Sequence, residues 1–353
     1  MSQTPQYLLN TSWTLHRLSP LHHGKEFQSL LDNPTALHTY AARLRDQLTG
    51  DVLSGLQTGF GAGSIAEDDT LSKTGALRSC TWEAIPQFDG TCTSEGHGQT
   101  GILIVLEYET TTYKAALLYT PDTQPQPQNA RKGVTPLPLL LTRLPTPTRQ
   151  TLLTFLSTTF DTYHSPLRLP ASFMCSGLDT YVTTFLSSGA HDAADILEGI
   201  VRDVQLTVAF SGNVAPSLRS LGVGVPRGMV GGFLRGGGDG EGFLGRVEKY
   251  LEAHLAMKLD LSTTGNGRGN GLAKQHVRVS KIACGGFVIG SEGRMKLSAD
   301  LGRQSGGTGN RDGDGDGEGS RVLGEKERLE LKANHALLLG VLRRAVAGEG
   351  QMK

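Results

Sequence analysis

The sequence predicts an α+β fold with antiparallel sheets, flanking helices and two lobes. Strand-like segments with two-residue periodicity occur in neighbouring pairs, and helix-like segments lie between the groups. This order differs from the strict alternation of strand and helix that a parallel sheet requires. A length of 353 residues suits one large domain or two smaller ones. We expect an N-terminal α+β lobe over residues 1–200 and a C-terminal α+β lobe over residues 201–353.

Four strands are predicted in the N-terminal lobe, over residues 7–18, 101–107, 112–120 and 136–144. The second, GILIVLE, is a continuous apolar run, which is typical of a strand that is buried on both faces. Only a few polar residues separate it from the third, so these two strands are expected to form a hairpin. Proline cannot donate to a central ladder, and the fourth strand, PLPLLLTRL, is therefore predicted at a sheet edge.

Three helical segments are predicted in the same lobe. The first covers residues 26–48 and is broken at Asn33-Pro34, because the residue before proline avoids the α region; residues 50–75 follow as a loop. The second begins at Thr146-Pro147, a capping residue followed by proline at the first helical position. Apolar residues repeat along it at helical spacing. They are Leu152, Leu156, Phe160 and Tyr163. The third helix covers residues 171–186.

The C-terminal lobe is predicted to contain four strands and two helices. The strands cover residues 204–210, 255–261, 274–284 and 294–298, and the helices cover residues 243–255 and 325–347. Residues 222–242 are predicted as a Gly-rich loop. The insert at residues 302–321 is rich in Gly, Asp and Ser, and such a segment cannot bury enough apolar surface to fold. We therefore expect this insert to be disordered.

Composition restricts the functional classes. Lys+Arg and Asp+Glu balance at 34 each, whereas a protein that coats DNA usually carries a clear positive excess. A nucleic-acid contact would therefore need a local patch or a partner chain. The four cysteines contain no C-x-x-C pair, and the N-terminal residues are polar, so reduced thiols in a cytosolic or nuclear protein are expected. No apolar run approaches the ~18 residues of a membrane span.

The motifs that could carry chemistry are incomplete. The Asp-Gly run at residues 312–317 begins like a calcium loop, but Leu323 stands where the bidentate glutamate belongs. The glycines Gly240, Gly242 and Gly245 lack the preceding hydrophobic strand of a dinucleotide site. No nucleophile elbow is present. We expect no catalytic residue, cofactor or metal, while a hydrolase or transferase with a dispersed active site remains the alternative.

One stretch of the neutral chain is locally basic. Between Arg268 and Lys296 there are six basic residues and one acid, Glu292. Several lie on predicted strands and could share one face of a sheet. Two interpretations remain open: the residues contact DNA or a partner, or they only protect a sheet edge from aggregation. The candidate residues are Arg278, Lys281, Arg294 and Lys296.

Two dense motifs resemble a known family. The opening YLLNTSWTLHRLSPLHH is similar to its N-terminal signature at Tyr7, Leu9-Asn10, Trp13-Thr14-Leu15 and Ser19-Pro20-Leu21. The segment TTFDTYHSPL, residues 158–167, is similar to a second signature of Thr-Phe-Asp, an aromatic residue and Ser-Pro-Leu. The order of elements from residue 204 onward agrees as well. Together these features resemble the centromere protein L family, in its version from fungal inner kinetochores; the inserts at 50–75, 222–242 and 302–321 depart from it.

The resemblance implies a non-enzymatic subunit of the inner kinetochore, located in the nucleus at the centromere. It implies curved antiparallel sheets and a heterodimer with centromere protein N through strands of the C-terminal half. Centromere protein C and other inner-kinetochore subunits are the further partners it implies, with DNA contact possible within the complex. The signature residues Trp13, Leu15, Phe160 and Tyr163 are expected in the core.

Overall fold

A computed structural model describes most of the chain. The described residues are 6–31, 33–58, 74–86, 99–119, 133–188, 192–201, 203–210, 217–235, 242–255, 261, 277–299 and 324–347. Their α-helices are α1 (Pro34–Thr58), α2 (Thr146–Phe160), α3 (Ala171–Leu186), α4 (Ala193–Val201), α5 (Arg227–Arg235), α6 (Phe243–Leu255) and α7 (Glu325–Ala347). Their strands are β1 (Thr11–Leu18), β2 (Leu21–His22), β3 (Leu77–Pro86), β4 (Gln99–Tyr108), β5 (Thr112–Leu118), β6 (Val134–Thr135), β7 (Leu139–Arg143), β8 (His164–Pro166), β9 (Gln205–Phe210), β10 (Ser220–Gly224), β11 (Val277–Ala283), β12 (Phe287–Gly290) and β13 (Arg294–Leu297).

A single antiparallel sheet of 11 strands organises these elements, which confirms the α+β class. Its order is β10-β9-β11-β12-β13-β1-β7-β5-β4-β3, and β8 pairs with β1 beside this path. Strands β2 and β6 form a small second sheet. The sheet is not closed, so β10 and β3 are its edges. Strand β1 joins the two halves, because Trp13 lies opposite Met295 of β13 and Leu15 lies opposite Leu141 of β7.

Two hydrophobic cores lie on the two faces of this sheet. The first contains Trp13 and Leu15 of β1 and receives buried side chains from helices α3 to α7. The second contains apolar residues of α1 and α2 packed on strands β3, β4, β5 and β7. Strand β4 contributes Leu103 to the first core and Ile102 and Ile104 to the second, so its predicted burial on both faces is confirmed. The second core contains no residue of β9 to β13.

Helix α1 begins later and ends later than expected. The Asn33 side chain caps it, because its Oδ1 accepts a hydrogen bond from the Ala36 N–H at 3.0 Å. Residues 26–31 are not helical, so within the described residues the predicted helix exists only after the break. The helix continues to Thr58, and the loop prediction was wrong for residues 50–58. Helix α2 begins at Thr146 as predicted, but Pro145 occupies the cap position and no side-chain cap bond forms.

The predicted edge position of the fourth strand was wrong. Strand β7 lies inside the sheet, between β1 and β5. Its prolines do not interrupt the ladder because Pro136 and Pro138 precede the strand, and the Pro138 carbonyl accepts a hydrogen bond from the Leu18 N–H at 2.9 Å. The hairpin of β4 and β5 is confirmed.

The Gly-rich loop prediction at residues 222–242 was also wrong where the structure describes it. Strand β10 ends at Gly224, and α5 occupies Arg227–Arg235. Tertiary contacts stabilise both elements despite the glycines, because β10 pairs with β9 and Val230 of α5 is fully buried in the first core. The predicted helices over 171–186, 243–255 and 325–347 are confirmed. Predictions on residues 256–260 and 302–321 lie outside the described residues.

Candidate functional site

The outer face of the C-terminal sheet carries the four candidate cations. Side chains of β9, β11 and β13 alternate, and their inward residues, such as Val208, Ile282 and Met295, are buried in the first core. Arg278, Lys281 and Arg294 are exposed, and Lys296 is half-buried. We call the outward side of β9 to β13 the basic face.

Strand pairing places these cations in rows. Lys281 lies opposite Gly290, which in turn lies opposite Arg294, so one glycine separates the two cations. Neighbouring strands are about 4.8 Å apart, which puts the Cα atoms of Lys281 and Arg294 roughly 10 Å from each other. Lys296 occupies the next outward position on β13, about 7 Å from Arg294. The structure therefore brings the predicted residues together on one surface.

A β-bulge explains why Arg278 and Lys281 share a face although they are three positions apart, an odd number. The register of β11 against β9 shifts between Val279 and Lys281. The extra residue restores the alternation, and Val279 and Ile282 both point into the core.

The turn between β12 and β13 depends on a glycine. Gly293 adopts φ 77° there, a conformation that glycine accommodates without strain.

The basic face has no acidic neighbour at its described strand positions. Its other outward residues carry no charge, and they are Gln205, Thr207, Ala209, Ser220, Gly222, Gly224, Ala283, Val288 and Gly290. Within the described residues, none of the four cations forms an ion pair. Glu292 is exposed in the turn between β12 and β13. A positive potential on this face can therefore attract an anionic partner.

Strand β10 presents an open edge beside the basic face. The Phe210 N–H donates to the Arg219 carbonyl at 3.0 Å, and the Val225 N–H donates to the Val204 carbonyl at 3.0 Å. In an antiparallel ladder, bonded residues alternate with residues whose backbone groups point away. The backbone of Ser220, Gly222 and Gly224 therefore points to the open side, where no described strand pairs with it. Such an edge can accept a strand from another chain.

Three of the four signature residues are buried. Trp13 is 1% exposed, Leu15 and Phe160 are 0% exposed, and the Trp13 Nε1–H donates to the Leu8 carbonyl at 2.9 Å. Tyr163 is 82% exposed, so its expected core position was wrong. Helix α2 ends at Phe160, and Asp161 turns the chain with φ 46°, so Tyr163 has left the apolar stripe of the helix.

A groove of about 450 Å³ lies at the other end of β1. Its walls combine prolines, the buried Tyr119, the exposed Tyr163 and the end of α7. The lining residues are Arg17, Leu18, Ser19, Pro20, Tyr119, Pro136, Leu137, Pro138, Tyr163, His164, Ser165, Ala345 and Val346. Among the described residues that line the groove there is no carboxylate, so His164 and Ser165 have no acidic partner among them.

Groups with shifted pKa values belong to the protein interior. Burial lowers the pKa of His16 to about 4, with Arg149 and His164 adding repulsion. Burial also raises the pKa of the Cys80 thiol to about 12 and that of Cys284 to about 11. None of these groups lines the groove or lies on the basic face. Cys80 and Cys284 are half-buried, and their raised pKa values keep the thiols neutral and unreactive at neutral pH.

Three histidines that are close in the sequence, His16, His22 and His23, differ in their surroundings in the fold. His16 and His23 are buried while His22 is exposed, and His23 Nε2 shares a hydrogen bond with the Thr135 hydroxyl at 2.9 Å. Among the described side chains no group of three or more His, Cys, Asp or Glu residues could hold a metal ion. None of the described helices is long and apolar enough to span a membrane.

Comparison with family models places this α+β chain in a family of centromere proteins. Members of this family are structural components of the kinetochore, and the family is not a known enzyme family. The matching model is Centromere protein L, and it covers residues 7–346. Because this match spans nearly the whole chain, the protein belongs to the centromere protein L family. A search of curated proteins found no match. Family membership places the protein in the nucleus, at the kinetochore, and associates it with chromosome segregation.

Proposed function

We propose that the protein is a non-catalytic subunit of the inner kinetochore that forms a heterodimer with centromere protein N. Together with centromere protein C and other inner-kinetochore subunits, the pair supports kinetochore assembly on centromeric chromatin. The family match supports this role. The observation that carries the pairing is the open edge of β10, whose outward backbone groups can extend the sheet into a second chain.

The proposed pairing unit is the C-terminal lobe, residues 201–353. It contains β9 to β13, the basic face and the open β10 edge, whereas residues 1–200 contain both helices of the second core. The two lobes share one sheet through β1, so a partner strand on β10 would continue a sheet that already crosses the protein. Exposed apolar residues Leu218 and Met229 flank β10 in sequence and add apolar area beside the edge.

Contact with DNA is proposed only for the assembled complex. The chain has no net charge, and four cations on one face are few for tight binding on their own. Added to a basic surface on the partner, they would extend a path for the phosphate backbone. The alternative is that these cations only keep the open β-sheet soluble.

The pairing is tested by substituting Gly222 at the β10 edge. A proline there removes an outward N–H donor but no bond to β9, and the space beside Gly222 is open. Gly222→Pro should keep the parent melting temperature when the chain is alone and lose at least about tenfold in affinity for centromere protein N, or about 1.4 kcal/mol.

Gly222→Ala is the matched control, because it adds a side chain in the same place and keeps the N–H donor. It should bind as the parent does. If Gly222→Pro folds and binds centromere protein N with unchanged affinity, the partner does not use the β10 edge. The hydrolase or transferase alternative has no site in the described residues that favours it.

A further inference from the structure

Strand β8 is a short, fully exposed strand that pairs with β1 on one side. All three of its residues are exposed, and its other edge pairs with no described strand. The Ser165 hydroxyl has no hydrogen-bond partner in the described part of the chain. This hydroxyl is therefore accessible to an enzyme that works on extended segments.

The residues after Ser165 form the pattern Ser-Pro-Leu-Arg. A proline-directed kinase binds the residue after the acceptor in an apolar pocket. The backbone N–H of an ordinary residue would have no hydrogen-bond partner in that pocket. Proline is preferred there because it has no N–H. A basic residue three positions after the acceptor adds an ionic contact. Six Ser-Pro or Thr-Pro pairs occur in the chain, with acceptors Thr4, Ser19, Thr120, Thr135, Thr146 and Ser165. Only Thr146 and Ser165 have arginine three positions later.

Ser165 is more accessible to a kinase than the other described acceptors. Thr135 is 3% exposed, and the Ser19 hydroxyl is bonded to the Thr162 hydroxyl and accepts the Tyr163 N–H. Thr146 is exposed but is the first residue of α2, so binding in an extended conformation would require the first helical turn to unwind. Ser165 is already extended.

A cation lies directly across the strand pair from Ser165. Arg17 of β1 is the register partner of Ser165, and the Cβ atoms of such pairs lie about 5 Å apart. Arg17 forms no ion pair with a described residue. Both side chains line the groove, and none of the described residues that line it is a carboxylate. A guanidinium can bind a phosphate with two parallel hydrogen bonds.

We propose that Ser165 is a phosphorylation site for a proline-directed Ser/Thr kinase and that Arg17 is the partner of the phosphate. The Ser165 Oγ attacks the γ-phosphorus of ATP; the new O–P bond forms as the bond to the β-phosphate oxygen breaks. The hydroxyl proton goes to the kinase base and ADP leaves. The phosphate adds about two negative charges to the groove at neutral pH and ties β8 to β1.

The modification is tested on the purified full chain with a cyclin-dependent kinase, its cyclin and ATP. Mass spectrometry of tryptic peptides measures the phosphate on each acceptor over time. Ser165 should be modified about tenfold faster than Thr146, because opening the first turn of α2 costs free energy. Ser165→Ala should remove most of the incorporated phosphate, whereas the matched Thr146→Ala should keep it.

Two outcomes would overturn the assignment: phosphate incorporation that does not fall in Ser165→Ala, or Thr146 modified as fast as Ser165. Pro166→Ala supplies a second check, since it restores a backbone N–H at the position that the kinase reads. Modification of Ser165 should then fall about tenfold, each tenfold step corresponding to ~1.4 kcal/mol. An unchanged rate would mean that the kinase does not recognise this motif.

The role of Arg17 has its own readout. Phosphorus-31 NMR of the modified chain follows the second ionisation of the phosphate, whose pKa is ordinarily about 6. A neighbouring guanidinium favours the dianion, so the titration midpoint should lie about half a pH unit lower in the parent than in Arg17→Gln. Arg143→Gln, an exposed arginine away from β8, is the control and should leave the midpoint unchanged. Equal midpoints in the parent and Arg17→Gln would exclude Arg17 as the partner.

Discussion

Trp13 and Tyr163 belong to the two family signatures, yet their surroundings are opposite. Trp13 lies on the central strand β1, 1% exposed, with its indole N–H bonded to the Leu8 carbonyl. Truncation of such a side chain leaves a cavity and an unpaired carbonyl. We expect Trp13→Ala to lower the free energy of unfolding by about 3–5 kcal/mol, a large share of a total of about 5–15 kcal/mol. Denaturant unfolding of the chain measures this change.

Tyr163→Ala is the matched control, because it truncates an aromatic residue that is 82% exposed. Its unfolding free energy should stay within about 0.5 kcal/mol of the parent value. If instead Trp13→Ala unfolds like the parent and fails to bind centromere protein N, Trp13 is an interface anchor and its core role is wrong.

His16 makes the stability of the protein depend on pH. Both of its ring nitrogens are buried, and no described residue forms a hydrogen bond with either. Burial lowers its pKa, with Arg149 and His164 adding repulsion to the charged form. Its pKa falls from 6.5 in the unfolded chain to about 4 in the folded protein. Between these values the unfolded chain binds a proton that the folded protein does not, so stability falls as the pH drops from about 6.5 to 4. The difference corresponds to about 3 kcal/mol at most.

Replacement of His16 isolates this contribution. His16→Leu should flatten the dependence of the melting temperature on pH between about 6.5 and 4, because no group at this position then titrates. His22→Leu, at an exposed position of β2, should keep the parent curve. Parallel curves for His16→Leu and the parent would show that other groups cause the acid sensitivity.

At the scale of elements, helix α1 depends on one side chain at its start. The Asn33 Oδ1 satisfies the Ala36 N–H, and the Asn33 carbonyl accepts from the Leu37 N–H at 3.1 Å. Asn33→Ala removes the first bond and should cost about 1 kcal/mol of unfolding free energy. Asn33→Asp keeps the acceptor and should cost less. Equal losses in both variants would mean that the cap bond does not stabilise α1.

Elements with a strong apolar period were predictable, and elements stabilised by their neighbours were not. Helices α3 and α7 have the predicted bounds because their apolar residues repeat at helical spacing. Strand β3 was missed because LRSCTWEAIP mixes charged and apolar residues, as an edge strand can. Strands β10 and β12 were missed because they are short and contain glycine, so their sequences carry only a weak strand pattern. Each forms by pairing with a neighbouring strand.

The candidate site was predictable as a list of residues but not as a surface. A count of charges along residues 268–296 identifies Arg278, Lys281, Arg294 and Lys296. The bulge after Val279, which puts Arg278 and Lys281 on one face, leaves no local signal except a break in alternation. The central position of β7 could not be predicted from its local sequence either, because it depends on pairing with β1, which lies near the start of the chain.

For the whole molecule, the sheet connects the first strand of the chain to its C-terminal half. Strand β1 lies between β13 and β7, and residues 11–14 pair with residues 294–297, about 280 positions later. One sheet face is covered by helices α3 to α7 along its length, whereas the second core covers only the N-terminal half of the other face. The basic face is the part of the sheet that the second core leaves uncovered. Its exposure is thus a consequence of how the helices divide between the two faces.

The basic face predicts a specific salt dependence of DNA binding by the complex with centromere protein N. Charge reversal of its four cations to glutamate should weaken binding, since each lost phosphate contact lowers the salt slope by about 0.9, or about 3.6 for all four. Heterodimer formation should persist, because the β10 edge keeps its backbone donors. The control carries the same change of charge elsewhere on exposed residues. Its positions are Arg78, Arg143, Arg328 and Lys332. An equal salt slope in both variants would assign the basic face to solubility, and a heterodimer that dissociates would assign it to the protein interface.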